Sequence, residues 1–371
     1  MLRLQRPLPE RYRDASDDAL NHMIGTARAE LGERLFVLGH HYQRNEIMAW
    51  ADARGDSYRL AVLAQQRTGA EYIVFCGVHF MAESADILTA DHQKVILPDL
   101  NAGCSMADMA DIDEVTLAWE ELAAVTDLDR VVPITYMNSA AALKAFVGAN
   151  GGAVCTSTNA AAVLTWALER GDQILFFPDQ HLGRNTGLAL GYGHQDMALW
   201  DPRHELGGLD EATAKGATLL LWKGHCSIHQ RFLPEHVERA RAEHPGVIVV
   251  AHPESRYEVC DIADQVGSTD FIIKAVQKAP PGATMAIATE IHLVARLAEE
   301  HPDKTIFCLD PVLCPCSTMS RIDLPHLAWV LEGLVEGTVR NQITVEGATA
   351  EGARLALERM LDITEAAPAT R

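Results

Sequence analysis

The 371-residue chain is long enough for two or three domains of about 100–200 residues each. Apolar residues make up 48% of it and charged residues 22%, the balance of a chain that buries a core rather than staying disordered. A net charge of −20 argues against a nucleic-acid footprint, which needs a basic face. No apolar run approaches the ~20 residues of a membrane span, and the basic start MLRLQRPLPERYRDAS lacks an apolar leader core. A cytoplasmic protein is therefore expected, with no nucleic-acid or membrane partner.

In chain order, the apolar runs RLFVLGH, EYIVFCG, QKVILPD, RVVPITY, GGAVCTS, QILFFPD, TLLLWKG, GVIVVAH, ATMAIAT and KTIFCLD predict strands. Amphipathic stretches such as DEVTLAWEELAAV, NAAAVLTWALERG, EHVERARAEHPG and EIHLVARLAEEHPD predict helices between them. This alternation points to βαβ units and parallel sheets. Three strands end in polar clusters: LGHHY (38–42), ITYMN (134–138) and VAHPE (250–254). Three later ones, ILPD (96–99), FFPD (176–179) and CLDP (308–311), end in Asp beside Pro. In each third of the chain a polar-ended strand precedes an Asp/Pro-ended one, which suggests three related α/β units.

Ligands of open parallel sheets bind beyond the carboxyl ends of the strands. His40, Tyr42, Tyr136, Asn138, His252 and Glu254 all fall there, and they look like three walls of one site. Glu254 beside an imidazole is a general acid/base candidate. Ser57 in GDSYRLAV, and Ser157 and Thr158 in CTSTNAAA, fall where helices are expected to start. So do Ser268 and Thr269 in VGSTDFIIK, with Lys274 nearby. Hydroxyls and free N–H groups at such ends cap the helix or cradle an anion. No dinucleotide fingerprint or P-loop occurs.

The eight cysteines include no CxxC pair, so neither a disulfide framework nor a zinc ribbon is indicated. Cys76, Cys155, Cys260 and Cys308 sit in apolar runs and read as small buried hydrophobes. Cys104, Cys226 and Cys316 instead follow strands in turn-rich segments, one per third of the chain, with Cys104 at an expected helix start. Loop thiols near helix starts make good metal ligands. Structural cysteines remain the commoner case.

Taken together, LGHHYQRNEI, RGDSYRLA, FCGVHFMAESADIL, LPDLNAGCSMAD, YMNSAAALKA, CTSTNA, FPDQHLG, WKGHCSIH, AHPESRYEV, VGSTDFIIK and ATEIHLVARL resemble the quinolinate synthase family, iron–sulfur enzymes of NAD biosynthesis. The likeness is colinear from about residue 35 to 335. It implies three similar three-layer αβα domains with parallel sheets around a pseudo-threefold axis, and a 4Fe–4S cluster at the centre. The domains are expected at 1–110, 111–225 and 226–319, with 320–371 returning to the first. By motif the cluster ligands are Cys104, Cys226 and Cys316, with Cys314 as the alternative to Cys316.

The implied reaction condenses iminoaspartate with dihydroxyacetone phosphate to quinolinate, phosphate and water, one open iron serving as Lewis acid. Motif by motif, the resemblance assigns His40 (rather than His41), Ser57, Tyr136, Asn138, Ser157, His252, Glu254, Ser268 and Thr269 to substrate binding. It makes Glu254, Tyr42, Tyr136 and His252 catalytic, with His229 and Lys274 behind them. A supplier of iminoaspartate, an L-aspartate oxidase or aspartate dehydrogenase, is the implied functional partner, and a homo-oligomer is compatible with the pattern. Residues 187–222 look longer than the resemblance needs and read as an insertion at the rim or a subunit contact. The competing readings are a cluster-dependent hydro-lyase, a metal or redox sensor using the same thiolates, and a metal-free binding protein.

Overall fold

The computed structural model describes residues 5–366. They form two compact units: residues up to Cys104 with Pro315–Val345, and Ser105–Cys314 with the chain from Glu346 onward. The first unit contains strands β1 (Leu35–His40), β2 (Ala53–Gly55), β3 (Tyr72–Cys76) and β4 (Lys94–Ile96). The second contains β5 (Val131–Tyr136), β6 (Ala153–Cys155), β7 (Gln173–Phe177), β8 (Met197–Trp200) and β9 (Leu219–Trp222) in one sheet. A further sheet of that unit holds β10 (Ile248–Ala251), β11 (Gln265–Val266), β12 (Thr284–Ala288) and β13 (Thr305–Cys308). Strand β14 (Gln342–Ile343) closes the first sheet, antiparallel to β4, and every other pairing is parallel.

The three sheets share one four-strand order. They read β4-β3-β1-β2, β9-β7-β5-β6 and β13-β12-β10-β11, with β14 and β8 as edge additions to the first two. Each is thus an α/β unit with parallel strands and helical crossovers, as expected. Strands β3, β5, β7 and β9 are buried along their whole length, as a sheet covered on both faces requires. In this order the first strand of each unit lies where the winding reverses, the switch point at which open α/β sheets bind ligands. The three polar-ended strands, β1, β5 and β10, are those first strands.

All ten expected strands form, and four short ones (β2, β8, β11 and β14) add to them. One expected equivalence is corrected. ILPD and CLDP follow β4 and β13, which occupy matching places, but FFPD follows β7, whose counterparts are β3 and β12. The true counterpart of Asp99 and Asp310 in the middle sheet is the turn after β9, at Gly224.

Residues 187–222 are not merely an insertion at the rim. They hold β8, which extends the middle sheet beside β9 with Trp200 buried, and the helix Glu211–Gly216. The Trp200 ring lies against Gly207, whose φ of +65° and lack of a side chain allow that approach.

The C-terminal expectation also changes. β14 joins the first sheet, but the final helix, Gly347–Ala366, packs on the helix Ala141–Ala149 and on β6 of the second unit. Gly148 faces the Gly352 carbonyl so closely that any side chain there would collide with backbone. Arg359 donates to the carbonyls of Gly148 and Gly152, and Asn159 donates to Thr364. Among the described residues no helix is long and apolar enough to cross a membrane.

Candidate active site

Two of the polar strand ends share one local device. Beyond β1, the Tyr42 N–H donates to His40 Nδ1 at 3.1 Å; beyond β10, the Glu254 N–H donates to His252 Nδ1 at 3.3 Å. An Nδ1 that accepts carries no proton, so each neutral ring keeps its proton on Nε2. This turn explains the i, i+2 spacing of H-x-Y and H-x-E. It also stacks the Tyr42 ring edge-on against the His40 ring, centroids 4.8 Å apart.

In the second unit four predicted or guessed residues converge on one carboxylate. Glu254, only 4% exposed, accepts from the Tyr136 hydroxyl at 2.5 Å through Oε1, and its Oε2 lies 2.9 Å from His229 Nδ1. The His229 and His252 rings stack at 4.5 Å, and His229 Nε2 meets the Thr289 hydroxyl at 3.2 Å. Burial by itself would raise the Glu254 pKa, but the two imidazoles and the Tyr136 hydrogen bond outweigh it and hold the carboxyl down, at about 2. Burial, followed by the neighbouring His229, pushes His252 down to about 3. At neutral pH the set therefore holds an ionised base, a phenol donor hydrogen-bonded to it and a neutral imidazole. Cys226, His229 and Glu254 present ligand atoms all within 4.8 Å of one another.

Asn138 leaves β5 beside Tyr136, and its Oδ1 is buried with no partner among the described residues, as a group waiting for a ligand would be. Ser157 and Ser268 line a common cavity of about 790 Å³ with Lys274, which pairs with Asp270. A second cavity of about 380 Å³, lined by Ser157, Thr158 and Pro253, adjoins the loop that carries Glu254. Ser268 caps the helix Thr269–Lys278, and both Ser268 and Thr269 are buried. Ser157 and Thr158 do not start a helix: they lie in a turn ahead of the cap Asn159. In the first unit Ser57 opens the helix Ser57–Gln66, which Asp56 caps.

The cysteines separate by environment. Burial pushes Cys76 and Cys260 up to about 12, Cys308 up to about 11, and Cys155 further still, which keeps these thiols protonated. Cys104, Cys226 and Cys316 are half-buried in loops, and Cys314 is exposed. None of the three starts an α-helix, contrary to the expectation for Cys104. Instead each lies three residues before a 3₁₀ turn (Ala107–Met109, His229–Arg231, Met319–Arg321) and eight before a helix (Ile112–Val125, Pro234–Glu243, Leu324–Val335). Cys316 keeps that register and Cys314 does not. Each of these thiols, spared deep burial, is open to serve as a soft metal ligand.

Sequence reasoning missed Asp179, Asn185 and Thr289. Asp179 caps the helix Gln180–Ala189 and Asn185 lies on it. FPDQHLG counts only toward the family resemblance, and nothing in it says which strand ends that helix touches.

A family model described as Quinolinate synthetase A protein matches residues 23–362. The chain is 58% identical over 366 residues to a quinolinate synthase of Corynebacterium glutamicum, covering 99% of this chain and 93% of that one. It is 56% identical to one of a Nocardioides species, over 94% of this chain and 90% of the relative. It is 53% identical to one of Geobacillus thermodenitrificans, over 95% and 96%.

Proposed function

The chain belongs to the Quinolinate synthetase A protein family, and from that premise we propose that its strand-end residues condense iminoaspartate with dihydroxyacetone phosphate to form quinolinate for NAD biosynthesis. The observation that carries this reading is the buried Tyr136–Glu254–His229 set beside Cys226. Ring formation needs repeated proton movements, and a carboxylate bonded to a phenol and paired with an imidazole can take a proton and pass it on. Glu254 removes protons from the bound substrate, Tyr136 returns them, and His252 stays neutral as a hydrogen-bond donor through Nε2. Tyr42, set against His40, serves as the phenol of the first unit. Asn138 orients a substrate oxygen, and Ser57, Ser157, Ser268 and Thr269 hold phosphate and carboxylates.

Cys104, Cys226 and Cys316 are the proposed ligands of a 4Fe–4S cluster, their shared register being the support. Such a cluster with three protein ligands supplies an open iron, a Lewis acid for a substrate hydroxyl or carboxylate. The enzyme is proposed to work in the cytoplasm, supplied by an L-aspartate oxidase or aspartate dehydrogenase.

Anaerobic purification with iron and sulfide counting, followed by quinolinate and phosphate assays, tests this reading. About four irons per chain and matched release of both products are expected. Zinc in place of iron would favour a metal sensor using the same thiolates, and dehydration of a hydroxy acid with no need of dihydroxyacetone phosphate would favour a hydro-lyase. Cys104→Ala, Cys226→Ala and Cys316→Ala should each lose the cluster, while Cys260→Ala and Cys314→Ala keep it. Glu254→Gln should keep the iron and lower kcat by about 10²–10⁴-fold.

A further inference from the structure

The loop His252–Ser255 makes few regular backbone bonds. His252 N–H reaches Ala288 O and Ser255 N–H reaches His252 O. What holds the rest is the helix Gln180–Ala189. Asn185 Nδ2 lies 2.8 Å from Pro253 O and 2.8 Å from Ser255 O, the carbonyls on either side of Glu254. An amide nitrogen has two hydrogens, and two carbonyls take them; turned the other way, the amide oxygen would face the lone pairs of both carbonyls. The same nitrogen is 3.3 Å from Cys260 Sγ, which itself lies 3.8 Å from His252 O and 3.7 Å from Ser255 O.

Resting on the reading of Glu254 as the acid/base group, we propose that Asn185 is a positioning residue: its carboxamide fixes the Pro253–Glu254 peptide plane and the Ser255 carbonyl just beyond Glu254, and so aims the carboxylate at His229 and Tyr136. The plane joining Pro253 to Glu254 is held at both ends, its carbonyl by Asn185 and its N–H by His252 Nδ1. Asn185 needs no contact with substrate to do this. A catalytic group must be held to within about 0.5 Å, and a displacement of about 1 Å costs on the order of 10²-fold in rate. Without the donor, the Pro253 carbonyl loses its partner, the Ser255 carbonyl keeps only the weak Cys260 thiol, and the loop relaxes.

The test uses the cluster-loaded enzyme with Asn185→Leu, which removes both donors at similar volume, and Asn185→Gln, which restores them on a longer arm. Asn185→Leu is expected to lower kcat by about 10–100-fold with KM and iron content at parent values, and Asn185→Gln to recover part of the loss. A crystal structure of Asn185→Leu, independent of activity, should show the Glu254 carboxylate withdrawn from His229. Parent kcat in Asn185→Leu, or an unmoved Glu254 in its structure, overturns the proposal. A fall in kcat matched by a fall in folded, iron-loaded protein also overturns it, leaving Asn185 a purely structural residue. Should Asn185→Leu not fold, Asn185→Ser, with one donor, undergoes the same two measurements. If the parent enzyme forms no quinolinate, the reading of the site fails, and the position of Glu254 in the variant structure still decides the role of Asn185.

Discussion

The turns that follow the fourth strand of each sheet differ in one respect. Beyond β4, buried Asp99 receives Arg321 Nε at 2.8 Å; beyond β13, buried Asp310 receives Arg231 Nε at 3.0 Å. Both aspartates also accept the N–H two residues on, from Asn101 and Val312. Both arginines stand five residues after a loop cysteine, Cys316 and Cys226. Five residues after Cys104 stands Met109, and it meets the turn at Gly224, the counterpart of the aspartates. There Met109 O accepts from Trp222 Nε1 at 2.7 Å and its sulfur accepts from His225 N–H at 3.4 Å. Anion and cation are both replaced at that turn, so neither is left buried alone, which is the costly state. One backbone arrangement is thus held by an ion pair at two turns and by apolar contact and backbone acceptors at the third.

Asp179 follows a different strand, β7. Its Oδ1 accepts from the N–H groups of His181 and Leu182, while Oδ2 is buried without a partner among the described residues. Burial, and then the charge of Glu254, hold its pKa well above the usual carboxylate range. The aspartates with an arginine are ion-paired; the one without caps a helix through backbone N–H groups instead, near Glu254.

The largest effect expected from breaking this contrast is in Arg321→Ala and Arg231→Ala. Each strands a buried carboxylate and should cost about 2–4 kcal/mol in urea unfolding at pH 7. Next is Asp179→Asn, which keeps the cap but removes the titrating group. The native parent holds this proton to higher pH than the unfolded chain does. Its stability is therefore lost as pH rises from about 3.9 toward the folded-state pKa, at about 1.4 kcal/mol per pH unit. The variant lacks that loss, so its advantage over the parent should grow with pH across an unfolding series. An advantage that shrinks with pH would mean that Asp179 is ionised in the fold. The smallest expected effect is in Met109→Arg, a guanidinium facing Gly224 with no aspartate. A loss of about 1 kcal/mol or less is expected, against the larger losses when an arginine is removed from its aspartate.

The strands, the three polar strand ends and the loop cysteines were legible because each rests on a pattern a few residues long. Alternating βα periodicity fixes the sheet class, parallel sheets bind at their carboxyl ends, and H-x-E at such an end puts two polar groups on one turn. The likeness of FFPD to ILPD and CLDP misled for the same reason: a short pattern does not say which strand of the sheet it ends. Tertiary structure alone decided that His229 and Tyr136 meet Glu254, 25 and 118 residues away. It decided that Asn185 spans Glu254, that residues 197–200 extend a sheet, and that the last helix leaves the first unit. These outcomes depend on which surfaces pack together. Packing is settled by contacts between distant segments, such as the close approach of Gly148 to Gly352, which no local periodicity encodes.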